Sequence, residues 1–269
     1  MPTPRASYSK RFHDFEMIQI KNSQQIALMR EAGRITGEAL LVAREHIREG
    51  ISTKQLDTLI RQHIEGRGAK PSFLGLYGFP GSACISINDE VIHGIPSDKR
   101  ILQEGDIVKI DVGAYYKGFH GDSARTFAVG RVSEEAARLI AATKESFYRG
   151  MAAVKAGNRI GDVGYAIDSY VREQGFSAVR QYVGHGVGRA VHESPDVPNY
   201  GTPGRGPRLC EGLVIAIEPM INQGSFEVKQ LSDGWTVKTV DGKLSAHYEN
   251  TVALTPDGVV NLTEVEIGE

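Results

Sequence analysis

The chain has 269 residues, 41% hydrophobic and 24% charged, with 31 Gly, 11 Pro and two Cys. This is the composition of a folded globular protein, and it excludes disorder, a collagen-like repeat and a disulfide scaffold. The formal charge of −2 gives no bulk attraction to nucleic acid, and no apolar run reaches the roughly 18 residues of a membrane span.

Residues 1–16 are polar, carry two prolines and no apolar period, and read as an N-terminal extension ahead of one domain over residues 17–269. They also lack the apolar core of a signal peptide. With only Cys84 and Cys210, the expectation is a cytoplasmic protein in a reducing compartment. In MIQIKNSQQIALMREAG, Asn22 or Ser23 can cap a helix carrying Ile26, Met29, Ile35 and Leu40. A second helix starts at Ser52 or Thr53, buries Leu56, Leu59, Ile60 and Ile64, and ends at Gly66 and Gly68. After Pro71 come short β-type runs, ACISI, DIVKIDVGAYY and ARTFAVG. Two helical stretches follow, SEEAARLIAATKESFYRGMAAV and IGDVGYAIDSYVREQG, and then strand-like LVIAIEPMI and ENTVAL.

The second half repeats the first. Glu104–Asp111 (EGDIVKID) lies over Glu211–Glu218 (EGLVIAIE), and the same shift maps Gly50 to Gly157, Leu56 to Val163, Ile60 to Ile167, Ile64 to Val171 and Gly68 to Gly175. The implied architecture is α+β, with two halves related by a pseudo-two-fold around a shared antiparallel sheet. Asp111 and Glu218 take equivalent places in it.

Alternation along the strand points Asp111 away from Ile110 and Val112. A hairpin turning between Tyr116 and Lys117 would set Asp111 opposite Asp122. Asp233-Gly234 is a strong hairpin signal, and residues symmetric about it include Glu218 and Glu249. Like charges directly opposed destabilise a sheet. Four converging carboxylates would have to take up protons unless a counter-charge is supplied, and two divalent cations match them. The alternative is a set of solvated acids at strand ends. Among the histidines, His13 lies in the extension, His46 and His63 read as solvated helix residues, and His120 and His247 flank candidate ligands, as supports behind them or, the favoured reading, as strand residues. His93, His185 and His192 remain as candidates for chemistry. Glycines on both sides of His185 allow backbone and ligand to approach closely.

FHGDSARTF, GHGVGRAVHESP, IAIEPM and HYENTVALT, with NDEVIHGIP upstream, resemble the signature segments of the type I methionine aminopeptidases, from about Met17 to the C terminus. The resemblance implies the pita-bread fold, in agreement with the duplication. It implies metal ligands Asp111, Asp122, His185, Glu218 and Glu249 around two divalent ions (Mn, Fe, Co or Zn). Glu218 would also move protons, His192 would hydrogen-bond the substrate carbonyl, and His93 would lie near the scissile amide nitrogen. Phe73, Tyr77, Phe79, Cys84, Val191 and Trp235 would line a methionine pocket. The implied activity is removal of initiator methionine from nascent polypeptides with a small second residue, by a monomer that visits the ribosome and has no membrane or nucleic-acid partner. Two rivals share the scaffold. One is an Xaa-Pro aminopeptidase or prolidase, which usually carries an additional N-terminal domain; the other is a metal-free binding protein, which would have lost ligands.

Overall fold

Asn22 closes a capping box with Gln25 and starts helix α1 (Ser23–His46) in the computed structural model, which describes residues 17–265. The extension expected over residues 1–16 lies outside the described residues. Ser52 and Gln55 form the same reciprocal cap for α2 (Thr53–Gly66). Each cap satisfies two otherwise orphaned amides and stabilises its helix by about 1 kcal/mol. The first half continues through β1 (Lys70–Pro71), β2 (Ala83–Ile87), β3 (Glu90–Ile92), β4 (Ile107–Tyr116) and β5 (Phe119–Ala128). Helices α3 (Glu134–Ala152) and α4 (Ile160–Glu173) open the second half. It runs on through β6 (Ser177–Ala178), β7 (Gly184–Gly186), β8 (Glu193–Val197) and β9 (Val214–Ile217). A folded-back arm follows, with β10 (Met220–Asn222), β11 (Val228–Gln230), β12 (Val237–Thr239) and β13 (Ser245–His247). Strands β14 (Glu249–Thr255) and β15 (Gly258–Asn261) complete the chain.

The duplication is structural. Helices α2 and α4 begin and end at positions with one common offset, and β4 and β9 start with the same offset. The central antiparallel sheet runs β1-β4-β5-β14-β9-β7-β8, with β2 also on β4 and β15 also on β14. Its midline is the β5–β14 junction, where Glu249 pairs with Ala124 and Asn250 with Ser123. Alternation divides β4 as expected. Val108, Ile110 and Val112 pack under α1 and α2 with Leu40, Leu56 and Ile60, whereas Ile107 joins the core beneath α3. Each such buried aliphatic side chain contributes about 1.5–3 kcal/mol. Helix α1 lies directly on β5: a side chain at Gly121 would meet the Gly33 backbone at 2.7 Å, and Thr36 Oγ1 donates to the Gly121 carbonyl at 3.1 Å. Only paired glycines permit that approach.

Two expectations need correction. The β4–β5 turn is the pair Lys117-Gly118, both with positive φ (47° and 91°), so Asp111 pairs with Ala124 and Asp122 with Gly113. A two-residue turn of this hand matches the strand twist. The two-residue slip keeps both acids on one face, because side chains alternate with period 2. The run LVIAIEPMI is also not one strand. It breaks at Glu218-Pro219 between β9 and β10, where proline has no N–H for a ladder. The register about Asp233-Gly234 holds through the whole arm: Gln230 pairs with Val237, Met220 with His247 and Ile217 with Asn250. Asp233 fixes the turn by accepting the amides of Trp235 and Thr236.

Candidate active site

Across β4, β5 and β14, Asp111, Ala124 and Glu249 stand in one row of directly paired residues. Direct partners point to the same face. The small Ala124 therefore leaves space between two carboxylates, and Asp122, two residues along β5, projects from that face as well. The β9–β14 register carried one step past Ile217 sets Glu218 beside Glu249. His185 enters from the middle of β7, with Nε2 3.4 Å from Glu218 Oε1 and 3.9 Å from Asp122 Oδ2. The five side chains named from the sequence thus meet in one place, although they come from five separate strands or strand ends.

The electrostatics of the cluster follow from burial. Desolvation pushes the Asp122 carboxyl up to about 7. It also raises Asp111, Glu218 and Glu249 well above the usual carboxylate range, and the neighbouring acid charges add to the effect. Desolvation pushes His185 down to about 3, so its ring is neutral. Because Nδ1 lies 2.9 Å from the Gly186 carbonyl, which can only accept, Nδ1 carries the proton and Nε2 presents a lone pair to the acids. Asp111 Oδ1 and Asp122 Oδ1 are buried without a hydrogen-bond partner among the described residues. Four crowded carboxylates, two orphaned oxygens and one aimed imidazole fit divalent cations. Below them, the buried Arg125 guanidinium donates to the Glu249 carbonyl at 2.5 Å and to Asn250 Oδ1 at 2.7 Å, and it lies 4.0 Å over the Tyr248 ring. That arrangement fixes the backbone of β14 at Glu249.

An apolar cluster adjoins the acids: Phe73, Phe79, Cys84 and Val191 are buried together, with Leu76, Ile95 and Trp235 packed against them. Cys84 pairs with Asp111 across β2 and β4, which joins the two regions. Burial and the Asp111 charge push its thiol well up, which leaves it a poor nucleophile. Phe79 meets Trp235 edge-on at 5.0 Å. Tyr77 is 61% exposed and stacks on His192 at 6.1 Å, at the rim and outside the cluster. His192 is exposed to the cleft and lies 4.4 Å from the His185 ring. His93, held at φ 60°, lies edge-on to Tyr182 (5.8 Å) and to Trp235 (6.5 Å). A non-glycine residue in that region is strained and persists where its surroundings fix it.

Leu76, Ile95 and Arg125 carried no signal in the sequence, whereas a candidate ligand is flanked by His247. The last read as a strand residue, yet it is buried with Nε2 3.7 Å from Glu218 and 3.9 Å from Glu249. Its position two residues before an acid was the available signal. His46 and His63 are half-buried rather than solvated. His46 donates to the Val42 carbonyl, and His63 lies 3.4 Å from Glu38. His120 is structural, held by Ser72 Oγ at 2.8 Å.

Two duplicated halves closed on a buried cluster of carboxylates and imidazole define a metallohydrolase of the pita-bread class. The profile of metallopeptidase family M24 matches residues 27–256, and the chain belongs to that family. A Methionine aminopeptidase of Clostridium perfringens is 56% identical over 250 residues, 93% of this chain and all (100%) of that protein. Methionine aminopeptidase 1 of Bacillus subtilis is 50% identical over 249 residues, with the same coverages of 93% and 100%. Among solved structures, a methionine aminopeptidase from Thermotoga maritima superposes with a TM-score of 0.91 at 42% identity, covering 93% of this chain and 100% of that one. A prolidase from Pyrococcus furiosus gives 0.75 at 27% identity, covering 92% of this chain and 66% of that one.

Proposed function

We propose that this chain is a methionyl aminopeptidase that removes the initiator methionine from newly made polypeptides with a small second residue, using two divalent ions. The observation that carries this reading is the juxtaposition of the acid cluster with a cluster of apolar side chains through the Cys84–Asp111 pair. The identity of 50–56% to methionine aminopeptidases over nearly the whole chain supports it. The prolidase alternative rests on 27% identity, and a metal-free binding role gives no reason to retain four buried carboxylates.

Asp111, Asp122, His185, Glu218 and Glu249 would hold the ions. When bound, such ions polarise a carbonyl and lower the pKa of water towards neutrality. The chain supplies the rest. The pocket formed by Phe73, Phe79, Cys84, Val191 and Trp235 takes the methionine side chain, whose thioether packs well against aromatic edges. Glu218 takes the water proton and passes it to the leaving amine. His192 donates to the oxygen on which charge develops, and His93 faces the scissile nitrogen. The donor set suits Mn, Fe or Co more than a thiolate-type zinc site. The protein works in the cytoplasm as a monomer and meets its substrates at or after the ribosome.

The test is cleavage of peptides with varied first and second residues in the presence of each metal. Met-Ala-Ser and Met-Gly-Met-Met are expected to be cut, whereas Ala-Pro-Ala and peptides with a large second residue are not. Preference for Ala-Pro-Ala would reject the reading.

A further inference from the structure

Behind the acids the central sheet carries a second polar row. Cys84, Asp111, Ala124 and Glu249 are direct partners across β2, β4, β5 and β14; two residues further along, Ser86, Lys109 and Thr126 are direct partners across β2, β4 and β5. Period-2 alternation sets both rows on one face. Each member of the second row bonds the backbone of a segment that carries a site residue. Ser86 Oγ accepts the amide of Gly94, next to His93, at 3.0 Å. Lys109 Nζ donates to the Asn88 carbonyl, just ahead of β3, at 2.7 Å. Thr126 Oγ1 accepts the His247 amide and donates to the His247 carbonyl, both at 2.8 Å, shortly before Glu249.

Lys109 is the member whose presence stability does not explain. It is 1% exposed and forms no ion pair among the described residues. The Asn88 carbonyl also accepts the Ser245 amide at 3.1 Å, so it would not be orphaned without the lysine. Burying an amine costs more than burying an apolar chain of similar length, and a methionine would fill the space without that cost. What the amine does fix is position. Asn88 and His93, at φ 53° and 60°, bracket the short strand β3, and non-glycine residues stay in that region only where their surroundings over-determine them. Lys109 clamps the first of them, and its cross-strand partner Ser86 clamps the chain directly after the second.

We infer that Lys109 is a positioning residue for His93, holding β3 from beneath so that the imidazole stays edge-on to Tyr182 and Trp235. The inference rests on the proposed reaction, in which His93 faces the scissile nitrogen.

The test compares Lys109→Met and Lys109→Ala with the parent chain. Lys109→Met is expected to melt no lower than the parent, while kcat on Met-Ala-Ser falls about 10–100-fold and KM hardly changes, the pattern of a contact made only in the transition state. The ring protons of His93, shifted by the two neighbouring aromatic rings and identified by their loss in His93→Gln, are expected to move in Lys109→Met. Methylammonium chloride should restore part of kcat in Lys109→Ala, with tetramethylammonium chloride as the control for ionic strength. Unmoved His93 resonances in Lys109→Met overturn the inference. So does a loss of melting temperature in both variants with no rescue by methylammonium, which would make Lys109 a residue of stability alone. A parent chain that cuts no methionyl peptide overturns the proposed reaction instead, and the His93 resonances still decide whether Lys109 holds the imidazole.

Discussion

Lys21 Nζ lies 2.6 Å from Glu193 Oε2, with the two side chains 5% and 12% exposed. The other oxygen of Glu193 accepts the amides of Arg189 at 2.7 Å and Ala190 at 3.2 Å. One carboxylate therefore ties the segment leading into α1 to the loop that carries Val191 and His192, and Lys21 reinforces the tie through the Gln19 carbonyl. Removing either partner of a buried pair strands the other charge, a cost of about 3–5 kcal/mol. Lys21→Met is expected to lose most of that range in denaturant titrations and to lower kcat/KM by loosening His192. Lys21→Met combined with Glu193→Gln should be less damaging than the sum of the two, and strict additivity in the double-mutant cycle would show that the pair is not coupled.

In the proposed mechanism Glu218 carries the proton and His185 helps to hold the metal. Glu218→Gln keeps a similar volume but removes the proposed proton carrier, and kcat on Met-Ala-Ser is expected to fall about 10²–10⁴-fold. His185→Ala should abolish turnover while leaving the far-UV spectrum unchanged. Full activity in His185→Ala would remove this residue from the site.

The pH dependence of the metal-free chain has a definite sign. Asp122, raised to about 7, and the more strongly affected Asp111, Glu218 and Glu249 keep protons that the unfolded chain releases near pH 4. The stability they confer is present at low pH and lost as pH rises through the folded-state values. His185 and His247, lowered to about 3, and His93, lowered to about 4, act in the opposite sense: their contribution is present above about 6.5 and fades as pH falls below it. The two trends oppose each other below about pH 6.5; above it the four acids outweigh the single buried Lys109, which burial lowers to about 7 and whose contribution grows with pH. The melting temperature of chelator-treated protein is expected to fall between pH 6.5 and 8.5 (roughly the window those values set), and Mn²⁺ or Co²⁺ should restore it most at the upper end. A flat profile without metal would show that the carboxylates are not crowded as described.

Arg125 makes four donations from Nη1 and Nη2, to Ser123, Ala124, Glu249 and Asn250. Lysine cannot reproduce that fork. Arg125→Lys is expected to cost about 2–3 kcal/mol through unsatisfied acceptors and to weaken metal binding about tenfold by freeing Glu249, which melting and calorimetry would read separately.

Periodicity and local chemistry alone determined much of this protein. The two capping boxes, the helix faces at Leu56 and Ile60, and the repeated EGDIVKID and EGLVIAIE segments are short-range signals in which each residue reports on neighbours a few positions away. They suffice for the elements, the duplicated architecture and the acids at strand ends. Parity also survives small errors: a hairpin two residues out of register still put Asp111 and Asp122 on one face. Tertiary structure decided the rest. Ala124 separates Asp111 from Glu249 only because β5 lies between β4 and β14, and no local pattern announces that neighbour. His247 looked like any strand histidine until the folded-back arm buried it against Glu218. Leu76 and not Tyr77 packs on the apolar cluster because the glycine-flanked turn at 75–78 aims one side chain inward and the next toward solvent. Distances between side chains on different strands depend on packing of the whole sheet, and single-chain patterns do not carry that information.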